Sequence, residues 1–126
     1  MAHLTSRVAA LTLIALACQG AAHAADAVLN IYSARHYQTD EALYKDFTKQ
    51  TGIQVNRLDG KEDELLERIK NEGANSPADI LITVDAARLE IADSLGLFQP
   101  VSSKVLDARI PDHLRTPTWV AFSTRA

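Results

Sequence analysis

A histidine and a tyrosine, His36 and Tyr37, stand side by side in the stretch VLNIYSARHYQTDEALYKDF, where an apolar run gives way to the start of a helix. Neither is required for a turn, which Gly, Asn, Asp or Ser would serve better. Two kinds of chemistry are open to them. Imidazole and phenol can both donate to a metal ion, the phenol once its proton is lost, and Ser33 lies close enough in sequence to His36 to pose as a nucleophile beside a base. A His-Tyr dipeptide without context is most often a packing or surface feature. Its meaning therefore depends on the elements that position it.

Those elements alternate. Residues 28–33 read as a strand and 39–50 as a helix, with Thr39 or Asp40 as cap and Leu43, Tyr44 and Phe47 on one face. Gly52 ends the helix, and 53–58 alternates apolar and polar residues as a second strand. Residues 61–72 form a second helix burying Leu65, Leu66 and Ile69, supported by a Glu64–Arg68 pair and followed by Gly73. The run DILITV at 79–84 fits a strand buried on both sides. Asp85 caps a third helix over 86–95, which Gly96 closes.

Strand and helix in strict alternation predict an α/β fold with a mainly parallel sheet and right-handed crossovers. Ligands of such sheets gather beyond the carboxyl ends of the strands. Residues 33–37 hold that place after the first strand, and Val84-Asp85 after the third. The pattern then loosens into a Pro-punctuated connector, in which 105–109 is short and helical or extended and 118–124 resembles another strand. No internal repeat or low-complexity segment is present.

The N-terminus has a different character. Arg7 is followed by the uncharged stretch VAALTLIALA and then by Ala22-His23-Ala24, the small-x-small pattern of a cleaved signal peptide. The expectation is export, with residues 1–24 removed and 25–126 as the mature portion. A lipidated Cys18 after Ala15-Leu16-Ala17 is the competing reading. Cleavage after Ala24 removes the single cysteine, and with it any disulfide, thiolate metal site or cysteine nucleophile. The whole chain of 126 residues carries a formal net charge of −3, which gives no basic footprint for nucleic acid.

The runs LNIYSARHYQTDEALYKDFTKQTGIQV, GKEDELLERIK and EGANSPADILITVDAARL together resemble the N-terminal lobe of periplasmic ferric iron-binding proteins, the substrate-binding components of iron ABC transporters. The resemblance runs from about Val28 to the end of the chain. It implies a type II periplasmic-binding-protein-like fold of two α/β lobes around a cleft, of which this chain is a partial N-terminal lobe. In the branch with a His-Tyr pair after the first strand, that pair supplies the first lobe's ligands, so the resemblance assigns His36 and Tyr37 to Fe3+. Another branch uses a carboxylate at the end of the third strand, where this chain has Val84. The second lobe, with its tyrosines, is absent, and the chain is expected to be a fragment of a protein that is monomeric when full length. The implied partners are ferric iron and an inner-membrane ABC permease, and the implied location is the periplasm.

Bland readings stand beside these. Tyr32 and Tyr44 are core or packing residues, His113 is solvated in its loop, and Asp85 is a helix cap. Arg35 and Arg125 pair with surface carboxylates or lend charge to a bound anion or to a ligand's surroundings. An enzyme is disfavoured, because Ser33 and His36 lack a Gly-rich elbow and a third partner. The remaining alternatives are a solute-binding module for another metal or an oxyanion, and a nonfunctional gene fragment.

Overall fold

A computed structural model describes residues 27–123. The stretch expected to be a signal peptide, with Cys18 and Ala24, and Arg125 near the other end lie outside the described residues. Strand β1 (Val28–Ser33) leads to helix α1 (Gln38–Thr51), strand β2 (Gln54–Asp59), helix α2 (Glu62–Glu72), strand β3 (Ile80–Ile82), helix α3 (Ala86–Ser94) and short helix α4 (Lys104–Arg109). Single 3₁₀ turns occupy Gly73–Asn75 and Asp112–Leu114. The three strands form one parallel sheet in the order β2-β1-β3. In register, Ile31 lies between Arg57 and Ile80, and Ser33 between Asp59 and Ile82.

The central strand is the most buried because it is paired on both sides. Tyr32 and Ala34 meet Leu65 of α2 in the core, with Leu58, Ile69, Ala78 and Leu81 packed around them. Helix α1 ends at Gly52, whose φ of 76° is the left-handed conformation that a glycine adopts without strain. Its N–H donates to the Thr48 carbonyl at 2.8 Å. Gly60 matters through space instead: a Cβ there would stand 3.0 Å from a methyl of Leu65, so a larger residue would press on the core.

Several expectations need correction. Helix α1 is capped by Tyr37 rather than by Thr39 or Asp40, which moves Asp40 into the first turn and buries it. Leu43 is 60% exposed and does not share the inward face of Tyr44 and Phe47. The Glu64–Arg68 pair gives way to Arg68–Glu72 at 2.7 Å and Lys61–Glu64 at 3.4 Å.

Strand β3 is shorter than its apolar run and is not buried on both faces, since Ile80 is 41% exposed. The ends of the run leave the strand, bonded through side chains to residues outside it. Asp79 accepts the Asn30 N–H at 2.8 Å, and the Thr83 hydroxyl donates to the Asp85 carbonyl at 2.8 Å. Of the segment expected as a strand at 118–124, the described residues, 118–123, make only an antiparallel bridge between Arg115 and Val120. There the Thr116 hydroxyl accepts the N–H groups of Thr118 and Trp119, turning the chain back on itself. Among the described residues no helix is long and apolar enough to cross a membrane.

Candidate metal site

Because β2 and β3 flank β1 on opposite sides, the chain diverges at the carboxyl end of β1, the switch point where α/β sheets open a crevice. The loop leaving that end is pinned from both flanks. Gly60, just beyond β2, donates its N–H to the Ser33 carbonyl at 3.1 Å, and the Ala34 N–H reaches the Ile82 carbonyl of β3 at 2.9 Å. Ser33 is fully buried and turns its side chain along the loop. Its hydroxyl donates to the Arg35 carbonyl at 3.0 Å and accepts the Arg35 N–H at 3.1 Å. Held in this way it has no access to a substrate, which removes the nucleophile–base pairing with His36.

His36 and Tyr37 follow at once, both on the surface, with Tyr37 45% exposed. Tyr37 has extended backbone angles and its carbonyl accepts the Asp40 N–H at 3.0 Å, so the residue is fixed as the first point of α1. The two side chains that sequence reading singled out therefore sit adjacent at a helix start beyond the central strand. Among the described residues no group of three or more His, Cys, Asp or Glu side chains gathers to hold a metal.

Beside them is a charge cluster. Arg35 Nε donates to Asp40 Oδ2 at 2.7 Å and Nη2 approaches Oδ1 at 3.4 Å, while Nη1 donates to the Ser123 hydroxyl at 2.7 Å. The guanidinium carbon lies 4.8 Å from the Tyr37 ring centroid and 5.5 Å from that of Phe122. The bond to Asp40 raises the Arg35 pKa against the opposing effect of burial, so the guanidinium is a permanent cation here. Sequence reading placed Arg35 as an accessory charge but gave it no partner. Phe122 and Ser123 were missed, and no local pattern signals a contact made across 88 positions.

The carboxyl end of β3 is built differently. Val84 offers only its backbone N–H, which donates to Glu62 Oε1 at 2.7 Å, and Asp85 caps α3 by accepting the Arg88 N–H at 3.2 Å. Arg88 also pairs with Asp63 at 2.6 Å and Glu62 at 3.7 Å, neutralising the start of α2. Of the other residues considered, Tyr32 is 4% exposed in the core. Tyr44 is half-buried near Arg57 with its pKa raised, chiefly by burial and then by the Asp40 charge. His113 is exposed on the second 3₁₀ turn, in a different part of the chain.

No family model matches the sequence. Individual relatives do. Over 100 residues the chain is 58% identical to "Iron uptake protein A1" of Synechocystis sp., an alignment covering 78% of this chain and 28% of the relative. It is 32% identical over 116 residues to the "Fe(3+)-binding periplasmic protein" of Serratia marcescens, covering 88% of this chain and 33% of the relative. Among solved structures, the Trichodesmium protein IdiA (FutA), in complex with iron and citrate ligands, superposes with a TM-score of 0.69 at 58% identity. That superposition covers 71% of this chain and 28% of the other. The chain spans at most 33% of the length of these curated relatives. Over the portion that it shares with them, the chain matches the periplasmic ferric iron-binding proteins in sequence and in α/β fold, as about a third of their length.

Proposed function

We propose that this chain forms one wall of a ferric iron site, with His36 and Tyr37 as its metal donors, in a periplasmic binding protein that delivers iron to an inner-membrane ABC permease. The observation that carries the reading is the position of the pair: adjacent, exposed and beyond the central strand at the switch point of the sheet, in a chain similar to relatives named for iron.

The chemistry is consistent. Fe3+ is a hard, highly charged cation, well matched to a phenolate, and imidazole also serves iron. Metal binding displaces the phenol proton, which an ordinary tyrosine otherwise holds up to a pH of about 10. An imidazole and a phenolate leave most of the coordination sphere open, so tight capture requires further donors from an opposing lobe. Closure of that lobe over the ion would complete the site, and reopening at the permease would release it. Nothing in this scheme needs a nucleophile, in keeping with a binding role rather than catalysis.

The test uses the full chain and ferric nitrilotriacetate, a chelate that leaves part of the iron sphere free for protein donors. Mixing should produce a visible phenolate-to-iron absorption band. Tyr37→Phe, which keeps the ring and removes the oxygen, should abolish it. His36→Ala should weaken binding with less change in colour. A chain that produces no band would favour a colourless solute such as an oxyanion, and a band that survives in Tyr37→Phe would remove Tyr37 from the ligand set.

A further inference from the structure

The backbone of Tyr37 is fixed by the start of α1, but its ring is not fixed by burial, since nearly half the residue faces solvent. An exposed tyrosine ring samples several staggered rotamers, and ordering it on ligand binding costs free energy. The structure supplies an element that does this ordering in advance.

We propose that Arg35, clamped by Asp40, is a positioning residue that sets the Tyr37 ring for metal donation; this rests on the ferric-site reading above. The guanidinium lies 4.8 Å from the Tyr37 ring centroid, close enough for a cation–π contact. What separates it from an ordinary surface arginine is how firmly its own plane is held. Both oxygens of Asp40 engage it, at 2.7 and 3.4 Å, Ser123 takes a third N–H at 2.7 Å, and the Phe122 ring lies 5.5 Å away. The Arg35 side chain is 19% exposed and that of Asp40 12%.

Asp40 does double service in this geometry. Its N–H is bonded to the Tyr37 carbonyl and its carboxylate to Arg35, so a single first-turn residue ties the tyrosine backbone to the cation beside the tyrosine ring. An acidic group here also favours the helix N-terminus, but that interaction needs no arginine. Lysine could not substitute, because the arrangement uses a planar fork that bonds at its edges and stacks on its face.

The experiment again uses the full chain with ferric nitrilotriacetate, read by affinity and by visible circular dichroism of the phenolate band, which reports the angle of the ring to the metal. Arg35→Ala alone strands a buried carboxylate and endangers the fold. The informative variants are therefore the paired Arg35→Gln/Asp40→Asn exchange, which keeps an amide–amide contact without charge, and Arg35→Lys, which keeps the ion pair but loses the planar stack. Far-ultraviolet circular dichroism identifies which of them retain the parent fold.

In a folded variant, affinity should fall about tenfold or more, the scale seen when a group that orients a metal ligand is removed, and the dichroism of the band should change shape. Parental affinity and an unchanged band in either folded variant would overturn the positioning role while leaving the ferric site intact. Survival of the band in Tyr37→Phe would overturn both readings.

Discussion

Two tyrosines five positions apart each have an arginine against the ring, and their surroundings divide the molecule into a part that holds it together and a part that faces outward. Tyr32 lies in the core with its hydroxyl donating to both oxygens of Glu72, at 3.0 and 3.1 Å, and accepting from Arg68 Nε at 3.3 Å. Arg68 lies 5.5 Å from its ring centroid and the Ser76 hydroxyl closes the network on Glu72 at 2.7 Å. Around Tyr37 the pattern is inverted: the arginine is the more enclosed partner and the tyrosine the more exposed one. A tyrosine serves the fold when its oxygen is satisfied internally. It serves a ligand when its setting orders the ring and leaves the residue facing outward.

The widest separation between the two regions should come from truncation. Tyr32→Ala removes a buried aromatic side chain and should cost about 3–5 kcal/mol of folding stability, enough to unfold much of a small domain. Tyr37→Ala should cost less than about 1 kcal/mol. Chemical denaturation followed by circular dichroism measures both, and equal losses would break the comparison.

Removal of the hydroxyl alone sharpens it. Tyr32→Phe should cost about 1 kcal/mol, the net worth of a satisfied hydrogen-bonding group, with no change in the iron band. Tyr37→Phe should leave stability unchanged and abolish the band.

A smaller effect should appear in the acid range. The Glu72 carboxyl is held below its usual pKa, first by the Ser76 hydroxyl and then by Arg68 and Tyr32. Because the folded value is depressed, the contribution is complete above the unfolded carboxylate pKa and is lost as pH falls through the folded one. Thermal midpoints should therefore decline below the ordinary glutamate range, and Glu72→Gln should flatten that decline. The least change is expected from Arg68→Ala, since the Arg68 side chain is 54% exposed and its ion pair is well solvated. A thermal midpoint close to that of the parent would confirm that the Tyr32 network depends on the buried hydroxyl and the partly exposed carboxylate more than on the arginine.

Much of this was legible in the chain itself, for identifiable reasons. The order of strands and helices follows from apolar periodicity and from glycines that stop helices, and those signals are local. The extent of β3 was not legible, because the run at 79–84 has the composition of a buried strand while the side chains of Asp79 and Thr83 bond to Asn30 and Asp85 outside the run. Asp40 illustrates the same limit at the site. An aspartate early in a helix reads as a cap, and only the fold reveals that its carboxylate faces Arg35. The contribution of Ser123 is a tertiary fact with no local trace.

The position of β1 in the sheet also has a kinetic meaning. It precedes both of its partners in the chain, yet its pairings are completed only when β3 arrives, the Asn30 amide waiting for a carboxylate 49 residues further on. Non-local parallel pairing of this kind slows folding, since the entropy of closing the intervening segment is lost before any contact compensates for it. The loop bearing His36 and Tyr37 is anchored to both β2 and β3 flanks, so it acquires its final shape at the end of that process. Refolding followed by a probe at this loop should therefore lag behind helix formation, and a chain halted before Ile80 should contain helices without an ordered loop.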